Sequence, residues 1–224
     1  MSLLKLFYPD QCNACDNLLS SGENLICTTC RHALPLAHFH TTTYNPIIKL
    51  LYGRTSLELA VALFYFDKKT RVQQLIHNLK YRGQKKLSAY FGIWLAKQII
   101  DIEAYKNIDC VIPVPLHKKR LKSRGYNQVE GFGKAIANAL NKPYIDDILY
   151  RTKATNTQVF LNRRFRSTEV IGSFSLRNEE ELKGKHILLV DDLITTGGTV
   201  EGCFLALQKA TDIKLSVAVM AIAV

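Results

Sequence analysis

The sequence has no apolar run that approaches the ~18–20 residues a helix needs to cross a bilayer. Its first ten residues are too few for the hydrophobic region of a signal peptide and lack a small-residue cleavage site. We also find no internal repeat and no low-complexity tract. We therefore expect a cytoplasmic protein. The apolar segment at residues 3–7 either packs against the amino-terminal module or touches a membrane, and we favour packing because so short a segment has little membrane affinity.

The 224 residues suffice for one ordinary domain and a small appendage. A hydrophobic content of 47% with 22% charged residues is typical of a folded globular chain and excludes a disordered one. The 30 Lys and Arg residues against 19 Asp and Glu give a formal charge of +11. That excess favours polyanionic partners, either nucleic acid or an acidic membrane face, unless the whole surface is simply basic.

Four of the six cysteines form two Cys-x-x-Cys pairs near the amino terminus: Cys12, Cys15, Cys27 and Cys30. Each pair places two thiolates on one tight turn, and two such turns complete a tetrahedron around Zn²⁺. Because four thiolates close the coordination shell, we expect a structural zinc that substitutes for the core such a short segment lacks. A redox-active pair is the alternative, although it needs only one Cys-x-x-Cys in a βαβ context.

Apolar strands and helices alternate along the rest of the chain. Helical spacing covers 71–80, 87–100, 129–140 and 199–209, while buried strands are predicted at 59–66, 108–114, 186–190 and 213–224. Apolar strands interleaved with helices indicate a parallel sheet that is covered on both faces. The predicted fold class is therefore α/β.

The third of these strands leads into a turn at 190–199 that holds seven candidate ligands: Asp191, Asp192, Thr195, Thr196, Gly197, Gly198 and Thr199. Ligands of open α/β sheets bind beyond the carboxyl ends of the strands, which is where this turn would lie. Adjacent glycines let successive N–H groups face one anion, and the helix start adds its positive end. The turn is therefore suited to a phosphate monoester.

The two aspartates repel a phosphate, so they indicate a ligand with further groups. Sugar hydroxyls donate to carboxylates, and Mg²⁺ bridges carboxylates to a pyrophosphate. A sugar phosphate with free hydroxyls and a metal-bound pyrophosphate offers both kinds of group. The alternative is an ordinary strand–turn–helix junction with an Asp cap, which requires a far less specified sequence. A Walker A sequence is absent, and Gly131 and Gly133 lack the third glycine of a dinucleotide fingerprint.

The segment 190–199 resembles the phosphoribosyl-pyrophosphate loop of type I phosphoribosyltransferases, with its apolar strand, two acids, two variable residues and Thr-Thr-Gly-Gly-Thr. The resemblance implies that Asp191 and Asp192 bind the ribose 2′ and 3′ hydroxyls, directly or through Mg²⁺. It also implies that residues 195–199 hold the 5′-phosphate.

Further motifs extend the resemblance over nearly the whole chain: Pro113–His117, Arg124–Gln128, Gln158 with the Arg163-Arg164 pair, and the four cysteines. Together they are similar to the ComF (GntX-like) family, whose members are tied to natural competence and DNA uptake. The resemblance implies a type I phosphoribosyltransferase fold at 107–224, a zinc-finger module at 1–44 and a connecting helical or hood region at 45–106. It also implies other competence proteins as partners, with this chain cytoplasmic or peripheral at the inner membrane.

Three clusters hold 14 of the 30 cations: residues 80–86, 118–124 and 151–166. In one hypothesis these clusters close over the ligand. The resemblance implies that the loop 115–128 faces the pyrophosphate, which makes Lys118, Arg120 and Arg124 ligands, and that 151–168 forms a hood.

In the competing hypothesis, the same cations form a track for the phosphates of a single-stranded nucleic acid. Tyr126, Phe160 and Phe165 would then stack on bases, and binding would depend strongly on salt. A solvated basic face without a dedicated partner is the third alternative.

We therefore predict a phosphoribosyl-pyrophosphate-binding protein of the DNA uptake machinery that acts with Mg²⁺, transfers phosphoribosyl groups and binds single-stranded DNA. As an enzyme it would expel pyrophosphate from C1 of the ribose, and we assign leaving-group stabilisation to Arg163 and Arg164. No constellation of His, Cys or carboxylates points to a general base. The alternatives are a non-enzymatic single-stranded-DNA-binding competence factor with a regulatory nucleotide site, and a purine or pyrimidine salvage phosphoribosyltransferase.

Overall fold

A computed structural model of the chain describes residues 9–39, 45–152 and 172–223. The strands in chain order are β1 (Ala60–Phe66), β2 (Cys110–Pro113), β3 (Leu149–Arg151), β4 (Phe174–Leu176), β5 (His186–Ile194) and β6 (Lys214–Ala223). The helices are α1 (Thr28–Ala33), α2 (Pro46–Leu51), α3 (Arg71–Tyr81), α4 (Lys86–Ile99), α5 (Glu103–Lys106), α6 (Lys118–Arg124), α7 (Glu130–Leu140) and α8 (Gly198–Leu207), with a 3₁₀ turn at Glu179–Leu182.

Four of the strands form one parallel sheet in the order β1-β6-β5-β2, and β3 and β4 form a separate antiparallel pair. The central strands β5 and β6 are buried over nearly their whole length, as a parallel sheet covered on both faces requires. The predicted α/β class with a parallel sheet is confirmed.

Alternate residues of each strand enter two separate apolar cores. In β5, Leu188 and Val190 belong to the core shared with α3, α4, α7 and the four-cysteine module. Ile187 and Leu189 belong to the core shared with α2, α8 and the β3–β4 pair. Each side of β5 is therefore tied to a different set of elements, which matters for the residues at its end.

Three features differ from the sequence-based expectation or sharpen it. Strand β5 continues to Ile194 instead of ending at Val190, because the long strand β6 pairs with it as far as Ile222. The region 45–106 contributes strand β1, which pairs with the edge of β6 opposite β5. The basic segment 118–124, expected as part of a loop, is helix α6, which Gly125 ends at a φ of +76°.

In the described part of the chain, no helix combines the length and the apolar character that a membrane span needs. The apolar segment at residues 3–7 lies outside the described residues.

Candidate functional site

The predicted phosphate loop lies where β5 ends and α8 begins, and its turn consists of residues 195–197. Gly197 has a φ of +78°, a left-handed conformation that glycine adopts without strain, and it precedes α8 without a side-chain cap. Because glycine has no side chain, no capping oxygen from this position competes for the N–H groups of the first turn of α8, which are the groups an anion would bind. Of the other predicted phosphate ligands, Thr195 is exposed, Thr196 and Thr199 are half-buried, and Gly198 is buried.

The two predicted acidic ligands lie within β5, and Asp191 and Asp192 are only 7% and 4% exposed. Because successive side chains of a strand point to opposite faces, Asp191 faces the side of α8 and Asp192 the side of α3. The N–H of Asp192 donates to Oδ1 of Asp191 over 2.8 Å. Burial, followed by the charge of Asp192, raises the pKa of Asp191 to about 7. The pair therefore offers one carboxylate on each side of the strand.

Asp192 is held by two side chains that the sequence placed in segments near the ligand but did not identify as individual site residues. Lys80 at the end of α3 places its Nζ 2.6 Å from one carboxylate oxygen. Gln128 donates from its amide nitrogen to the other oxygen, and Arg124 in turn donates to the amide oxygen of Gln128. Asp192 is thus the centre of a chain that runs from α6 to α3. The basic cluster at 80–86 was the one sequence signal that could have identified Lys80.

A basic pocket of about 330 Å³ adjoins this chain of contacts, and it is lined by Lys80, Tyr81, Gly83, Arg120, Ser123, Arg124 and Tyr126. The guanidinium of Arg124 lies over the ring of Tyr81, 5.5 Å from its centroid. The structure thus brings the predicted ligands Arg120 and Arg124 together with Lys80. The third predicted ligand, Lys118, is exposed at the start of α6 and is not among the described residues that line the pocket.

The predicted phosphate loop is contacted by Arg54, which follows α2 and was not identified from the sequence. Its Nη2 donates to the carbonyl oxygen of Thr196 over 2.6 Å and to that of Leu50 over 3.1 Å. Its Nη1 lies 3.1 Å from Oε2 of Glu201 in the first turn of α8. A residue far away in the sequence therefore fixes both the turn and the helix that follows it.

The four amino-terminal cysteines are positioned to hold a metal ion, because the Sγ atoms of Cys12, Cys15, Cys27 and Cys30 all lie within 4.8 Å of one another. Backbone N–H groups donate to their sulfurs, as those of Ala14 and Cys27 do to Sγ of Cys12. The module is attached to α3, since Asn78 donates its amide hydrogen to the carbonyl oxygen of Asn13 over 2.9 Å. The four predicted metal ligands are therefore brought together.

Several predicted site residues lie outside the described part of the chain. These are Gln158, Phe160, Arg163, Arg164 and Phe165. The hood and the two arginines assigned to leaving-group stabilisation accordingly remain predictions.

Residues 130–221 match the model of the phosphoribosyl transferase domain. The chain is 28% identical over 210 residues to DNA utilization protein YhgH of Shigella flexneri, which covers 87% of this chain and 89% of that protein. It is 35% identical over 102 residues to Competence protein F of Haemophilus influenzae, covering 45% of this chain and 44% of that protein. Competence protein ComFC of Bacillus subtilis is 23% identical over 215 residues, covering 94% of this chain and 85% of that protein.

Proposed function

We propose that this chain, a ComF/ComFC-like protein with a phosphoribosyl transferase domain, binds phosphoribosyl pyrophosphate at the end of strand β5. The observation that carries the proposal is the order of chemical groups there. Two buried carboxylates are followed by a turn that leads into a helix start without a side-chain cap. One of these carboxylates, Asp192, contacts Lys80, which lines a pocket together with two further cations. Phosphate, sugar hydroxyls and pyrophosphate require these three environments in one site.

Each part of the ligand would meet a matching set of groups. The N–H groups of residues 197–199 would hold the 5′-phosphate at the positive end of α8. The ribose hydroxyls would donate to the carboxylates of Asp191 and Asp192, and the pyrophosphate would occupy the basic pocket beside Arg120 and Arg124. Lys80 would then exchange its contact with Asp192 for one with the pyrophosphate, because a hydroxyl needs the carboxylate oxygen that the ammonium now holds.

The residues at this edge of the sheet fit the Mg²⁺ ion that such a ligand carries. The carboxylates of Asp191 and Asp192 are hard oxygen donors of the type Mg²⁺ prefers, and the ligand supplies further oxygens. When bound, the ion would neutralise part of the pyrophosphate charge. The four cysteines fit Zn²⁺ equally well, and we assign that ion a structural role because four thiolates leave no open position.

As an enzyme, the protein would transfer the phosphoribosyl group to an acceptor. The bond between C1 of the ribose and the pyrophosphate oxygen breaks, the acceptor bonds to C1, and the bonding electron pair leaves with the pyrophosphate. Arg120 and Arg124 would stabilise that departing charge from the pocket, and we retain Arg163 and Arg164 as further candidates. We assign no general base.

Calorimetric titration of the zinc-loaded full chain tests the binding step. We expect phosphoribosyl pyrophosphate to bind with Mg²⁺ and to bind at least about tenfold more weakly after Asp191→Asn, since a charge-assisted hydrogen bond is lost. Asp67→Asn changes an exposed carboxylate after β1 and serves as the matched control. The absence of binding at millimolar ligand, with an intact fold and bound zinc, would refute the proposal.

A second candidate function, binding of single-stranded DNA, is favoured by one surface feature. The segments 80–86 and 117–125 carry nine cations and no acid, and both line the basic pocket. Tyr81 at its edge is 68% exposed, with Arg124 5.5 Å and His77 5.0 Å from its ring centroid. A base that stacks on this ring would have to share it with these two side chains or displace one of them. Gly83 also lines a second, larger pocket of about 620 Å³, whose walls include Arg82, Lys85 and the first cysteine turn, so the two pockets border the same residue. A strand could follow this path with its phosphates on the cations.

Fluorescence anisotropy with a labelled oligonucleotide, measured across a salt series, tests this second function. We expect Tyr81→Ala to weaken binding by about 1–3 kcal/mol, the range for one stacked base. Tyr52→Ala is the control, because Tyr52 is 86% exposed but follows α2, away from the basic segments in sequence. Equal affinity of both variants would contradict stacking on Tyr81. Affinity that survives Asp191→Asn while transformation is lost would separate the DNA surface from the sugar-phosphate site.

The acceptor distinguishes the remaining alternatives. Release of pyrophosphate with a purine or pyrimidine base would support a salvage phosphoribosyltransferase. Binding of phosphoribosyl pyrophosphate without turnover on any acceptor would support a regulatory site in a DNA-handling competence protein. Partners among other competence proteins at the inner membrane belong to the same proposal, and co-purification from competent cells would test them.

A further inference from the structure

Arg54 contacts the candidate site but belongs neither to the turn 195–197 nor to the acidic pair. It lies between α2 and β1, and its backbone N–H donates to the carbonyl oxygen of Leu51, which closes the turn after α2. Its side chain is 30% exposed and its partner Glu201 only 13%, so the pair is largely enclosed. The guanidinium reaches the phosphate loop across 142 residues of sequence.

The contact between Arg54 and the Thr196 carbonyl determines the direction of the Gly197 N–H. In a trans peptide the C=O of one residue and the N–H of the next point in opposite directions. Because Arg54 holds the oxygen of Thr196 on its own side, the N–H of Gly197 must point to the other side of the turn. That is the side on which a phosphate would meet the start of α8.

The packing around Gly197 leaves the turn little freedom to rotate. A Cβ atom on Gly197 would lie 2.7 Å from Nη2 of Arg54 and 2.5 Å from Cδ2 of Leu51. The guanidinium therefore lies directly against the peptide it bonds. Its charge also compensates Glu201, whose carboxylate in the first turn of α8 would otherwise repel an anion at the same helix end.

We infer that Arg54 is a positioning residue that holds the turn 195–197 in the conformation that binds the 5′-phosphate, without touching the ligand itself. The inference rests on the proposed function for the identity of the ligand. It predicts a selective effect: affinity for ribose 5-phosphate depends on Arg54, whereas affinity for inorganic pyrophosphate, which would bind in the pocket around Arg120 and Arg124, does not.

Arg54→Met tests the inference, because methionine removes all three bonds and keeps an unbranched side chain. Titrations of the zinc-loaded full chain should show ribose 5-phosphate bound at least about tenfold more weakly and pyrophosphate bound as in the wild type. Arg71→Met removes one exposed arginine at the start of α3 and should change neither affinity. Equal loss for both ligands, or no loss for ribose 5-phosphate, overturns the inference.

The double variant Arg54→Met with Glu201→Gln separates the two roles of the guanidinium. If Arg54 holds the Thr196 carbonyl, affinity for ribose 5-phosphate stays low in the double variant. If it only neutralises Glu201, affinity returns to the wild-type level, and the positioning role is refuted.

Hydrogen exchange of the ligand-free protein tests, without any ligand, whether Arg54 holds the turn 195–197. The Glu201 amide donates to the Gly197 carbonyl over 3.0 Å. We expect its exchange to accelerate in Arg54→Met and to stay slow in Arg71→Met; unchanged exchange in Arg54→Met overturns the inference. A wild type that binds neither ribose 5-phosphate nor phosphoribosyl pyrophosphate contradicts the proposed function instead, while this exchange measurement still decides the role of Arg54.

Discussion

The contact between Lys80 and Asp192 links the two elements that form the site, and a double-mutant cycle measures its strength. The Asp192 side chain is 6% exposed and that of Lys80 is 21% exposed. Removing one partner of a fully buried pair destabilises a protein by roughly 3–5 kcal/mol. Because Lys80 is partly hydrated and Gln128 retains its bond to Asp192, we expect Lys80→Met to lower the free energy of unfolding by about 2 kcal/mol.

The chain offers an internal control in the pair of Lys134 and Glu130. Its atoms are also 2.6 Å apart, but the side chains are 51% and 43% exposed. Exposed i,i+4 pairs contribute about 0.3–0.5 kcal/mol. One cycle combines Lys80→Met with Asp192→Asn, and the control cycle combines Lys134→Met with Glu130→Gln. Urea unfolding of the single and double variants should give a coupling energy of at least about 1 kcal/mol for Lys80 and Asp192. Equal coupling in both pairs would refute the reasoning that burial makes the Lys80 contact strong.

Three further expectations concern other parts of the molecule. Gly197→Ala should lower stability by at least about 2 kcal/mol, since left-handed backbone strain of about 1–2 kcal/mol adds to a clash. Gly22→Ala is the control, because Gly22 has a φ of +89° with nothing within 4 Å of the added Cβ, and it should show the backbone strain alone. Equal melting temperatures of the two variants would contradict this expectation. Burial lowers the pKa of His186 below the ordinary histidine value of about 6.5, and His186 forms a 2.7 Å hydrogen bond with Ser216. The folded state favours the neutral form, so stability should be greatest above about pH 6.5 and fall as the pH drops below it. His186→Gln should flatten this part of a pH series of unfolding curves. Removal of the metal with a chelator should accelerate hydrogen exchange in α3, because Asn78 bonds to the first cysteine turn; unchanged exchange in α3 would show that the module and the helix are independent.

The sequence was sufficient for the fold class and for the local motifs. The strands could be recognised as apolar runs because both faces of a parallel sheet are buried. The cysteine site could be recognised because the spacing of the four cysteines is typical of a metal site. The turn at 195–197 was also identified, since its glycines and threonines are contiguous. These features depend on neighbouring residues in the sequence.

The residues that sequence reasoning missed depend on tertiary structure. Arg54 stands in an unremarkable segment, and only the packing of α2 against the turn brings it to Thr196. Lys80 was noted only as one cation of a cluster, because the sheet register that places Asp192 on the side of α3 is not encoded locally. The extent of β5 was underestimated for the same reason, since β6 determines how far the strand continues.

The most direct test of the central claim is a crystal structure of the zinc-loaded chain with phosphoribosyl pyrophosphate and Mg²⁺. We expect the 5′-phosphate on the N–H groups of residues 197–199, the ribose hydroxyls against Asp191 and Asp192, and Lys80 moved from Asp192 towards the pyrophosphate. Density for the ligand in the basic pocket alone, with the Lys80–Asp192 contact intact and the turn empty, would contradict the account.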